Sequence, residues 1–118
     1  MSALPCKELH FLLDRSGALI VFQEKRASWA GVLAFSSEER ARGFCRASNL
    51  DVAEVAAISA DDRDAAARLI ADVKRRAVRN LLLDLDYETG RCIRVEFEGD
   101  GFGAATEHQF TSPGEPRR

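Results

Sequence analysis

A chain of 118 residues with a formal charge of −2 is the length of one domain, and it can bury enough surface to fold without metal or disulfide staples. Its 46% apolar and 31% charged residues exclude wholesale disorder. The near balance of Lys and Arg against Asp and Glu disfavours nucleic acid as a partner, because phosphate binding leans on clustered bases.

Residues 1–5 have neither the basic start nor the apolar run of a secretory leader, and no stretch approaches the roughly 20 apolar residues that cross a bilayer. With three cysteines (Cys6, Cys45 and Cys92), an odd number at unpaired spacing, reduced thiols in a cytoplasmic protein are expected. Residues 9–13 and 18–22 read as a first hairpin turning at residues 14–17, with either Leu19 and Val21 or Ile20 and Phe22 inward. A basic loop holding Lys25, Arg26 and Trp29 follows, then a short strand over residues 32–35.

Ser36 is placed to open a helix, its hydroxyl facing the Glu39 amide and Glu39 reaching back in a capping box. Ala41, Phe44, Cys45 and Ser48 form one apolar stripe, Glu38 and Arg42 an outer i,i+4 pair, and Asn49 a left-handed stop. Residues 52–58 include another strand. Ser59 then caps a longer helix reaching about residue 78, with Asp62 in the reach-back position and Ala66, Leu69, Ile70, Val73 and Ala77 as its core stripe. Acids (Asp61, Asp62, Asp64) gather at its start and bases (Lys74, Arg75, Arg76, Arg79) at its end, as the helix dipole favours.

Residues 80–98 carry the strongest pattern in the chain. Apolar side chains recur with period two at Leu81, Leu83 and Leu85, then at Ile93, Val95 and Phe97, which marks two half-buried strands. Both apolar sets share a face if a three-residue loop, Glu88-Thr89-Gly90, pairs Leu85 with Ile93, Leu83 with Val95 and Leu81 with Phe97. Gly90 then takes the left-handed position, and Asp84 lies opposite Arg94 on the wet face. Gly99, Gly101 and Gly103 read as an exit loop, with a short extra strand near residues 106–110 and a flexible tail over 111–118.

The expected fold is an α+β two-layer sandwich in one domain over residues 1–110: a mixed sheet of five or six strands with two helices on one face, in the order β-β-β-α-β-α-β-β. Connection lengths leave the strand order open.

Chemistry is sparser. Asp84-x-Asp86 after an apolar strand resembles the motif of the aspartate-nucleophile phosphatases, but Glu88 stands where that pattern has Thr or Val, and too little chain follows for its other parts. Two carboxylates could also hold Mg²⁺ in a small metal-assisted hydrolase, given further oxygen ligands. The plain alternative is a pair of solvent-face aspartates beside Arg94. His10 and His108 stand apart from each other, His10 on the solvent face of the first hairpin, and no Cys–His pair such as His10 with Cys92 is selected by spacing. Lys74, Arg75, Arg76 and Arg79 could meet RNA or a nucleotide, or could simply complement the helix dipole alongside an Asp72–Arg76 pair. Trp29 is either packed on the core edge or an interface anchor flanked by Lys25 and Arg26. No cofactor, metal or catalytic set is implied.

The run Val32-Leu33-Ala34-Phe35 followed by Ser36-Ser37-Glu38-Glu39 and an Ala/Phe helix resembles the N-terminal domain of SseB-type bacterial proteins. That resemblance implies a small, non-catalytic bacterial α+β module and transfers no site residues. A polar open sheet face, Trp29 in a basic loop and the lack of a complete catalytic constellation make the first expectation a non-enzymatic interaction or adaptor domain that binds a protein partner or a second copy of itself.

Overall fold

The computed structural model describes Leu4, residues 6–23 and residues 29–110. Lys25, Arg26 and the expected tail lie outside the described residues. The elements are β1 (Glu8–Leu13), β2 (Val21–Phe22), β3 (Gly31–Phe35), α1 (Glu38–Ser48), β4 (Glu54–Ser59), α2 (Arg63–Lys74), β5 (Asn80–Leu83), β6 (Arg91–Glu98) and β7 (Gly101–Gln109). The strands form one mixed sheet in the order β4-β1-β3-β5-β6-β7, with β2 also paired to β3. The α+β class and the element order are as expected, with β7 longer than the short strand anticipated and opened by Gly101 and Gly103 rather than preceded by a glycine loop.

The helices do not share a face. Leu33 and Phe35 pack with Ala41 and Phe44 of α1, whereas the alternate residues Val32 and Ala34 pack with Val73 of α2. Successive residues of a strand point to opposite faces, so the sheet lies between the helices. The cause is topological. Strand β1 is antiparallel to both β3 and β4, and β5 is parallel to β3, so β3, β4 and β5 all run the same way. The chain crosses outward from β3 to β4 through α1 and returns from β4 to β5 through α2. Two right-handed crossovers in opposite directions place their helices on opposite faces.

The first hairpin is also reshaped. Both β1 and β2 run antiparallel to β3, pairing His10 with Phe35 and Val21 with Val32, so they follow one another along the same edge. Residues 14–18 form a small excursion between them, closed by a bridge from Leu13 to Leu19. Asp14 shapes it by accepting from the Ser16 hydroxyl at 2.6 Å, the Ser16 amide at 2.8 Å and the Ala18 amide at 3.1 Å. Those bonds, the Ser16 hydroxyl foremost, hold its carboxyl below the ordinary range.

The caps fall one to three residues later than the sequence suggests. Ser37, not Ser36, accepts from the Arg40 amide, and Asp62, not Ser59, accepts from the Ala65 amide. Asn49 stops α1 in the left-handed conformation at φ 56°, as its side chain permits. Helix α2 ends at Lys74, because Ala77 turns to φ 62° and the Val78 amide closes on the Val73 carbonyl.

The β5–β6 hairpin keeps the expected parity but shifts by two residues. Leu81 pairs with Val95 and Leu83 with Ile93, so both still point to the α2 face. Arg94 lies opposite Leu82 rather than Asp84. Gly90 has φ 77°, and a Cβ there would sit 2.9 Å from the Phe110 carbonyl oxygen.

Candidate functional site

Three places gather the residues singled out by the sequence, and they are far from equivalent. The first is the crevice at the carboxyl ends of the adjacent parallel strands β3 and β5, where open α/β sheets commonly place ligands. Asp84 leaves β5 at φ 56° with its amide bonded to the Ala34 carbonyl. Its two carboxylate oxygens accept from the Ser36 amide and the Ser36 hydroxyl, each at 2.8 Å. The carboxylate thus ties the end of β5 to the start of the turn into α1. Asp86 shapes the hairpin loop by accepting from the Glu88 amide at 2.9 Å and the Thr89 amide at 3.3 Å. Arg40, Arg91 and Gln109 complete an open crevice of about 630 Å³.

Cys92 faces this crevice beside His108, its cross-strand partner in β7, and not beside His10. Burial pushes the Cys92 thiol up to about 12, so it is a protonated core group and a poor nucleophile. His10 lies on β1 opposite Phe35, largely covered and 3.6 Å from Glu8, rather than on a solvent face. Among the described residues, no three His, Cys, Asp or Glu side chains gather as a metal site. All three cysteines are free thiols. A thiol raised on folding stabilises fully below its unfolded value of about 8.5, and that contribution is lost as pH climbs toward the folded value. Melting temperatures of the wild type should therefore fall more steeply above about pH 9 than those of Cys92→Ala. Parallel alkaline limbs would contradict the burial.

The basic cluster is the second place. Lys74 donates to the Gly99 carbonyl at 2.9 Å, Arg75 pairs with Asp72 at 3.0 Å and Arg76 donates to the Leu19 carbonyl at 2.9 Å. Asp72 thus meets Arg75 at i,i+3, not Arg76. The Arg79 carbonyl receives the Phe97 amide. These side chains fan out to the β6–β7 turn, to α2 itself and to Leu19 at the close of the 14–18 excursion rather than forming one stripe.

The third place is the half of the α1 face that α1 does not cover. Helix α1 packs over β1 and β3, leaving Leu82, Arg94 and Thr106 of β5, β6 and β7 beyond it. Trp29 closes over this half. The Arg94 guanidinium carbon lies 4.2 Å from its ring centroid, a cation–π contact. His108 and Phe110 meet the same ring edge-on and tilted, at centroid distances of 5.2 and 5.7 Å. Below, the Arg94 Nε donates to the Asn80 side-chain oxygen at 3.0 Å, which gives the acceptor of this buried residue a partner. Glu96 stands 3.7 Å from the outer nitrogen of Arg94 and stays open to solvent.

Trp29 is thus half-buried, packed on the core edge and still presented outward. Arg94, His108 and Asn80 were not joined to it by sequence reasoning. Alternation along β6 puts Arg94 on the face of Cys92, but nothing in the local pattern places Trp29, two residues before β3, over it. These features define a mixed-sheet α+β domain with helices on both faces and one partly open half-face. No family model, curated protein or solved structure matches the chain. Among the described residues, no helix is long and apolar enough to cross a membrane.

Proposed function

We propose that this chain is a non-enzymatic interaction or adaptor domain of the bacterial cytoplasm, which self-associates and takes up a protein partner on the open half of the α1 face. The observation that carries the reading is Trp29 stacked on Arg94. Trp and Arg dominate interface hot spots, and here the pair is held in place by the core while remaining accessible. The other chemistry-bearing groups have structural partners. Asp84 is held by Ser36, Asp86 by turn amides, and the Cys92 thiol by burial. The likeness of residues 32–39 to SseB-type N-terminal domains points the same way.

The test uses the full chain as bait, with wild type, Trp29→Ala and Arg94→Ala compared in native extract and retained proteins identified by mass spectrometry. Truncating a hot-spot aromatic costs about 2 kcal/mol or more, roughly thirtyfold in affinity. A protein retained by the wild type should be lost with Trp29→Ala. Equal retention by both would reject the face.

A further inference from the structure

Both ends of the sheet leave a strand edge unpaired among the described residues, and the two edges differ. In β7, Val95 pairs with Ala105 and Phe97 with Phe102, so β7 carries one extra residue there, a bulge. The Phe110 amide donates to the Gly90 carbonyl, in step with the pairing of Gln109 and Arg91. Alternation then turns the main-chain groups of Ala105, Glu107 and Gln109 outward. A second β7 laid antiparallel about Glu107 would set two carboxylates opposite each other. Bulge and charge together blunt this edge against self-pairing.

Strand β4 confines its one charge, Glu54, and its one irregularity, the Ala53 amide donating to the Leu13 carbonyl, to its start. It pairs with β1 residue for residue from Glu54 to Ser59, without a bulge and with no Pro, Lys or Arg. The Ala60 amide donates to the Lys7 carbonyl at 2.8 Å, continuing the register of Ser59 and Glu8. Antiparallel alternation therefore turns Glu54, Ala56 and Ile58 toward β1, and directs the main-chain N–H and C=O of Val55, Ala57 and Ser59 outward.

We propose that this outward edge is a homodimer seam, in which the β4 of a second copy adds antiparallel about a two-fold axis through Ala57. In that register Ala57 meets its own counterpart and Val55 meets Ser59. Every outward group then finds a mate, about six hydrogen bonds at two per opposed pair. Small side chains at the axis leave nothing to obstruct the approach, and Glu54 falls outside the paired run. The neighbouring two-fold register, through Ala56, sets inward-turned groups at its centre and lays Glu54 against Ile58. A second copy fits this edge because the segment is complementary to itself under the two-fold operation that isologous dimers use. The seam rests on the self-association part of the proposed function and not on the Trp29 face. That face lies at the other end of the sheet, so the dimer would present two of them, far apart, to a partner.

The experiment is size-exclusion chromatography with light scattering over a range of concentrations, on the full chain. Wild type, Ala57→Lys, Ala57→Glu and an equimolar mixture of the two variants are compared, with thermal melts confirming their folds. Ala57 is exposed, so either charge is tolerated in the single chain. Wild type should pass from the mass of one chain to that of two as concentration rises. Each variant alone should dimerise about tenfold more weakly or worse, since like charges then oppose each other across the axis. Mixing should restore the dimer with one copy of each. If Ala57→Lys dimerises as well as the wild type, or the mixture stays monomeric, the seam is overturned while self-association stands. A wild type that stays monomeric at every concentration overturns both.

Discussion

Gly31→Val should destabilise the protein by about 3 kcal/mol, and Leu82→Ala in the same chain should recover part of that loss. Gly31 opens β3 beside Asn80 of β5, and a Cβ built on it would lie 2.5 Å from the Leu82 Cγ. Leu82 is fully buried between Leu33 and the aromatic side of the α1 core, so it has no room to give way. Overpacking of this kind forces side chains off their rotamers or shifts the strand. Leu82→Ala alone should cost about 2–5 kcal/mol through lost burial and the cavity it leaves. Because the new valine would occupy that cavity, the double variant should be more stable than the sum of the single losses predicts. Urea or thermal unfolding of the four proteins checks this. Strict additivity would show that Gly31 and Leu82 do not touch.

The second large effect belongs to Asp84. Asp84→Ala removes the acceptor for both the amide and the hydroxyl of Ser36 and leaves a residue with a Cβ at φ 56°. Hydrogen bonds to a charged group contribute about 1.5–3 kcal/mol, and the left-handed backbone costs a non-glycine residue about 1–2 kcal/mol. Asp84→Gly loses the same bonds but relieves the backbone, so it should be about 1 kcal/mol more stable than Asp84→Ala. Equal losses in the two variants would mean that the turn relaxes out of the left-handed conformation. If neither variant changed the melting temperature, Asp84 would not be the tie between β5 and α1.

These two residues show where local sequence stops being informative. Period-two alternation identified both arms of the β5–β6 hairpin, and parity alone put Leu81, Leu83, Ile93 and Val95 on one face. Parity is insensitive to a shift of two residues, so it could not reveal that β5 ends at Leu83 and frees Asp84 to reach Ser36. Asn49 and Gly90 were legible because each is a residue whose left-handed backbone is cheap. Ala77 in the same conformation carries no such signal, which is why α2 reads too long. Hydrophobic stripes tell which side of a helix is dry, but not which face of the sheet it covers. That depends on the direction of each crossover, hence on β4 lying beyond β1, a long-range fact. The Trp29–Arg94 contact is hidden for the same reason, since it joins a loop to a strand far along the chain.

Trp29 is the only tryptophan, so its fluorescence reports the open half-face without interference from elsewhere. The most direct test adds the partner recovered with wild-type bait to the purified chain and follows the Trp29 emission maximum and its quenching by acrylamide. A blue shift with reduced quenching, saturating as the partner is added, is the expected result. Saturable binding that leaves both signals unchanged would contradict the account, because the partner would then be held somewhere other than over Trp29 and Arg94.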